Sequence, residues 1–93
     1  KILARNYSAP GGEIDIVAQA DGIIVFAEVK YRSSGVAGTG AESVTFRKQA
    51  CLKRAAEAYL AQNNITAPAR FDVLELSGSL AFCNFRHIKN AFE

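Results

Sequence analysis

Two apolar runs, "EIDIVAQA" (13–20) and "IIVFAEVKY" (23–31), flank Asp21-Gly22. An Asp-Gly pair between strand-like runs is the strongest short hairpin signal, because it fits a tight two-residue turn whose twist suits antiparallel strands. Such a turn fixes the register. Ala20 then faces Ile23, and counting back along both strands places Asp15 opposite Glu28 and Glu13 opposite Lys30. These four share a face with Val17/Phe26 and Gln19/Ile24. The other face, Ile14/Val29, Ile16/Ala27, Ala18/Val25 and Ala20/Ile23, holds no polar residue.

Facing side chains in a sheet have Cβ atoms ~4.5–5.5 Å apart, and like charges at that distance destabilise it. The Asp15/Glu28 pair therefore requires a counter-charge. Lys30 is one candidate. A hard divalent cation held by carboxylate oxygens is the other. Glu13 and Lys30 also read as a simple cross-strand ion pair, and Asp15 and Glu28 as residues on a solvated face. Against the latter, Val17, Ile24 and Phe26 make the rest of that face apolar.

The remaining chain supplies a matching framework. "ILARNYS" (2–8) reads as a strand and "APGG" (9–12) as a turn. Residues 33–41 are small and Gly-rich, a loop. Residues 42–62 are filled with Ala, Leu, Lys, Arg and Glu and form the one long helix, with Val44, Cys51, Leu52, Ala55 and Tyr59 as its apolar stripe. "NNITAPA" (63–69) ends it. "RFDVLEL" (70–76) is a strand, Ser77-Gly78 a turn, and 79–88 a last strand. The order is β-β-β-α-β-β. A strand–helix–strand crossover favours parallel pairing, and the two hairpins are antiparallel, which gives a mixed α/β sheet with the helix on one face.

At 93 residues the chain is one domain, residues 1–93. A net charge of +2 is too small for a dense basic stripe. Cys51 and Cys83 have no metal-ligand spacing and read as buried thiols of a reducing compartment. No apolar run reaches the ~18–20 residues of a membrane helix, so the expected location is the cytoplasm. The chain opens on strand-like "KILARNYS" without methionine, and a segment upstream is expected.

Asp15, twelve intervening residues, then Glu28-Val29-Lys30 has the shape of the PD-(D/E)xK motif of restriction-endonuclease-like nucleases, with Ile14 in place of the proline. With "ILARNY", "GEIDIVA", "VFAEVKYR", "RFDVLEL" and "HIKNAF", the whole chain resembles the small bacterial YraN-like family, itself similar to Holliday junction resolvases. The resemblance implies a restriction-endonuclease-like fold: five strands in the order 1-2-3-4-5, with strands 2 and 5 antiparallel to the rest and one long helix between strands 3 and 4. It also implies an N-terminal helix ahead of this chain carrying a further Glu for the metal site.

The activity so implied is hydrolysis of DNA phosphodiester bonds, on branched, Holliday-junction-like DNA, with Mg2+ or Mn2+. Asp15, Glu28 and Lys30 would be catalytic. Asp15, Glu28 and the carbonyl of Val29 would hold the metal, and Glu13 would support them. Arg32, Arg47, Lys48 and Gln49 are candidate DNA contacts, although a basic helix surface is commonly just solvated. The 33–41 loop reads as a DNA contact or as a plain linker. Resolvase-like cutting of two strands favours a homodimer. The alternative is a non-catalytic nucleic-acid- or protein-binding module that keeps the fold, or a structural interaction domain. Arg70 and Asp72 read as a structural ion pair, His87 as a non-ligand, and Phe71, Phe82, Phe85 and Phe92 as core.

Overall fold

The computed structural model describes residues 1–33, 45–78 and 83–92, and of 32, 33, 83 and 84 the backbone alone. Five strands form one sheet in the order β1-β2-β3-β4-β5: β1 (Ile2–Ala9), β2 (Gly12–Ala20), β3 (Ile23–Ser33), β4 (Ala69–Gly78) and β5 (Cys83–Phe92). One helix, α1 (Phe46–Gln62), links β3 to β4. β3 and β4 are parallel, and all other neighbours are antiparallel. β2 and β5 therefore run against the other three. The architecture is α/β with a mixed sheet.

The turn joining β2 to β3 has both central residues at positive φ, Asp21 at 51° and Gly22 at 77°. That is the reversal an Asp-Gly pair favours, and the register follows from it. Ala20 pairs with Ile23, Ala18 with Val25 and Ile16 with Ala27, as the sequence predicts. There the ladder stops.

The reason lies at Asn6 and Asp15. Asn6 adopts φ 52° in the middle of β1, where Arg5 pairs with Ile16 and Tyr7 with Ile14. Ile14, expected on the acid-free face with Ile16, is instead fully buried in the same cluster as Val17. The strict two-sided segregation inferred from alternation therefore fails around Asp15: Ile14 and Val17, opposite in parity, share one buried cluster.

Helix α1 packs across β1 and β2 and closes the core. Leu52, Ala55, Ala56 and Tyr59 meet Ile14, Val17, Ile24, Phe26 and Val73. Tyr59 is met edge-on by Tyr7 at 5.1 Å and by Phe26 at 6.0 Å between ring centroids. Such pairings add to the gain from burial alone. Phe71 stacks on Phe92 at 5.0 Å, so these two support the core. Phe85, expected to be buried, is 63% exposed on β5, and Phe82 lies outside the described residues.

The helix begins later than its composition suggests. Thr45 is extended and acts as the N-cap, its hydroxyl accepting from the Lys48 N–H at 3.2 Å. A Thr at this position satisfies one of the otherwise unpaired N–H groups of the first turn. Val44 and the Gly-rich segment fall outside the described residues. At the other end Asn64 is left-handed (φ 53°). The Ile65 N–H reaches the Leu60 carbonyl and the Asn64 N–H that of Ala61, a Schellman closure.

β5 extends to Phe92, four residues past the expected end, and its register against β4 shifts between Ile88 and Phe92. Asn90, at φ 52°, marks the irregularity. No helix among the described residues is long and apolar enough to cross a membrane.

Candidate functional site

Asp15 sits where the β2–β3 ladder ends. Its Oδ2 accepts the backbone N–H of Val29 at 2.8 Å. In continuous register that N–H would have gone to the β2 main chain opposite. The carboxylate takes over that role, so Asp15 is held against β3 by the strand it would serve.

Glu28 immediately precedes Val29, on the helix-facing side of β3. It is 6% exposed. Two ammonium groups converge on its Oε1: Lys48 Nζ at 3.5 Å, from the first turn of α1, and Lys30 Nζ at 3.9 Å, from two residues further along β3. Burial, and next the charge of Asp15, push the Glu28 carboxyl above its ordinary range, while Lys48 and Lys30 pull the other way. Burial and the facing acid prevail: ionised Glu28 is held at a net cost.

The first turn of α1 reaches this centre because the β1–β2 turn docks directly on the helix backbone. Gly12 passes so close that a Cβ there would lie 2.2 Å from the Cys51 carbonyl oxygen. Between turn and helix lies a cavity of about 390 Å³ lined by Ser8, Ala9, Gly12, Glu13, Lys48 and Cys51. Glu13 thus borders the centre at this cleft. It does not face Lys30 in the ladder, which has ended by then, and Lys30 turns to Glu28.

Of the residues singled out from sequence, Asp15, Glu28, Val29, Lys30 and Lys48 come together, with Glu13 at the rim. Gln49 is half-buried beside Lys48, and Arg47 is exposed on the same turn. Arg32 lies near the end of β3 opposite Ser77, with its side chain outside the described residues. Cys51 is a free, half-buried thiol.

Glu75 joins the centre from β4. It is 7% exposed and stands opposite Lys30 in the parallel β3–β4 register, which adds a third acid to the neighbourhood. Alternation in "RFDVLEL" puts Phe71, Val73 and Glu75 on one side of β4. Only the crossover register, which helix docking sets, brings that side next to Lys30.

Asp72 belongs elsewhere. Opposite in parity to Val73 and Glu75, it is 1% exposed. Arg70 donates to it from Nε at 2.9 Å and from Nη2 at 3.2 Å, His87 Nε2 lies at 2.7 Å, and the Asn90 N–H donates at 2.9 Å. Burial disfavours its charge, but the bonds from Arg70, Asn90 and His87 outweigh that and hold its carboxyl below the usual range. Arg70 and Asp72 are thus the structural ion pair expected, and His87 completes it.

Among the described residues no three His, Cys, Asp or Glu side chains converge as a ready-made metal cluster. The donors near Asp15 are two carboxylates and backbone oxygen. They are hard ligands, suited to Mg2+ or Mn2+ with water and substrate oxygens completing the shell.

Fold and centre together define a class: a small α/β protein whose mixed sheet places two acids and two lysines where the β2–β3 ladder ends, beside a helix N-terminus. The chain belongs to the Uncharacterised protein family UPF0102, whose model matches residues 1–76. This is the YraN-like family that the sequence resembles. UPF0102 proteins of Geobacter metallireducens, Alkaliphilus oremlandii and Lachnoclostridium phytofermentans are 48%, 42% and 43% identical to it. The alignments cover 100%, 99% and 100% of this chain and 77%, 81% and 77% of those proteins.

Proposed function

We propose that this chain is a divalent-metal-dependent endonuclease of the PD-(D/E)xK type with a restriction-endonuclease-like fold, hydrolysing phosphodiester bonds in DNA. Branched DNA is the substrate class that the resemblance to junction resolvases favours. One observation carries the reading. A buried carboxylate, Glu28, is kept beside a second, Asp15, and flanked by two ammonium groups. A carboxyl pushed up by burial and a like charge, with cations at hand, marks a candidate working site.

Asp15 and Glu28 would hold Mg2+ or Mn2+, with the Val29 carbonyl as a further oxygen. Such an ion polarises a phosphate and lowers the pKa of bound water. Lys30, beside Glu28, would orient the attacking water or offset negative charge growing on the phosphate. Val29 fixes Asp15 through its N–H, which keeps that carboxylate in one orientation. Glu13 borders the centre and steers the lysines or the water around the ion. Arg47, Lys48, Gln49 and Arg32 would serve the DNA backbone, aided by the α1 N-terminus.

The test uses full-length protein with four-way branched and linear duplex DNA, in Mg2+ or Mn2+ and then in EDTA. Cleavage is expected only with metal, and it is lost in Asp15→Asn, Glu28→Gln and Lys30→Met. Asn at position 15 keeps an acceptor for the Val29 N–H, so that variant stays folded. Cleavage that survives Asp15→Asn belongs to a contaminating nuclease. DNA retention in a mobility-shift assay without cleavage under any metal would favour the binding-module alternative.

A further inference from the structure

Without a divalent ion, Lys30 and Lys48 are the cations that meet Glu28, in a neighbourhood that also holds Asp15, Glu75 opposite Lys30 and Glu13 at the cleft. The two lysines are not equivalent. Lys30 is tethered to the strand two residues from Glu28. Lys48 reaches the same Oε1 from another element, at the shorter distance of 3.5 Å. An incoming divalent ion adds two positive charges where an ammonium already sits on the carboxylate it needs. Ions this close repel strongly in a partly buried site, so one ammonium has to withdraw. Lys48 has somewhere to go. It lines the cleft of about 390 Å³ beside the site, with Glu13 on the same wall, and its side chain is 35% exposed.

We propose that Lys48 is a built-in counter-cation: it occupies Glu28 in the metal-free protein, competes with the divalent ion, and swings into the Glu13 cleft when the ion binds. There its charge meets the phosphate of the substrate. The device keeps two acids from repelling each other before the metal arrives, and it supplies a cation to the DNA only after the metal is in place. It rests on the metal-site reading above and adds to it a residue that weakens metal binding.

The experiment is a Mn2+ titration of full-length protein, with free Mn2+ read from its electron paramagnetic resonance signal. Wild type is compared with Lys48→Met, Lys48→Gln, Lys48→Arg and Lys53→Met. Removing the competing charge is expected to tighten Mn2+ binding by roughly threefold to tenfold in both neutral variants, the scale of one half-exposed ion pair plus relief of cation repulsion. Lys48→Arg stays near wild type. Lys53→Met, one turn on and away from Glu28, gives the general effect of losing one charge. Circular dichroism confirms that each variant is folded. An affinity in Lys48→Met and Lys48→Gln that is unchanged, weaker, or no tighter than in Lys53→Met overturns the role of Lys48 and leaves the metal site standing. If wild type takes up no Mn2+ beyond what Asp15→Asn and Glu28→Gln take up, the metal site itself falls, and this role with it.

Discussion

Replacing Gly12 by alanine sets two backbones against each other. The new Cβ would lie 2.2 Å from the Cys51 carbonyl oxygen, 2.8 Å from its carbon and 3.2 Å from its Cα. Ordinary contact begins near 3.4 Å, so the helix has to retreat by roughly 1 Å, since overpacked groups must move or strain. No flexible side-chain end is available to yield, because all three atoms belong to the backbone of α1. A rigid shift of α1 loosens Leu52 and Ala55 from Ile14. Overpacking of this kind costs about 1–3 kcal/mol, and a clash with helix backbone belongs at the upper end. At about 4–8 °C per kcal/mol for a domain of this size, Tm falls by about 12–24 °C. The assay is thermal unfolding by circular dichroism, with urea unfolding as a second measure. Gly22→Ala is the control: Gly22 has φ 77° and nothing within 4 Å of a built Cβ. It suffers only left-handed strain, roughly 1–2 kcal/mol, and a correspondingly smaller drop. A Gly12→Ala protein that melts within 3 °C of wild type, or above Gly22→Ala, would refute the docking of the β1–β2 turn on the helix.

The raised carboxyl of Glu28 makes ionised Glu28 a net cost to folding. That cost is full above its folded-state pKa and is relieved as pH falls through that value toward the ordinary one. Glu28→Gln should therefore melt higher than wild type at pH 8, with the gap closing toward pH 4.5; a gap that widens on acidification would sink the assignment. Asp72 has the opposite sign: its lowered pKa contributes stability above its ordinary range that is lost as pH falls below it. Asp72→Ala leaves Arg70, His87 and the Asn90 N–H without their shared acceptor; Arg70 and His87 are partly exposed, so the loss is about 1–3 kcal/mol. Denaturant unfolding should show that loss, and a change under 1 kcal/mol would mean that water substitutes for the carboxylate. Asp72 stands away from Glu28 and Lys30, so Mn2+ uptake by folded Asp72→Asn should match wild type in the same titration.

What could be read from the sequence was whatever short-range chemistry decides. Asp21-Gly22 sets its own turn, and the register from Ala20/Ile23 to Ile16/Ala27 follows from it without further information. Asp15, Glu28 and Lys30 could be grouped on that basis alone. Their finer geometry could not, because it depends on a side chain replacing a backbone acceptor at Val29 and on a left-handed Asn6 one strand away. Alternation carries no mark of either. Lys48 was recognisable as a basic residue near a helix start. Its pairing with Glu28 depends on how closely Gly12 lets the helix approach, which is a tertiary distance. Glu75 was hidden for a related reason: a parallel crossover has no turn to fix its register, so its neighbour in β3 is decided by packing. Phe85 looked like core from its type alone, but β5 is an edge strand with an open side.

Both outer strands carry the same device. β1 turns left-handed at Asn6 and β5 at Asn90; β5 shifts register against β4 around Asn90, and β1 shifts against β2 between Ile2 and Ala4. A sheet whose rims ran straight would offer a long row of free amides and carbonyls to any passing chain, the usual start of open-ended stacking. Here each rim is crooked partway along, so a visiting strand finds only a short stretch to grip. A protein with half its residues apolar thereby keeps its margins from acting as a template for its own kind.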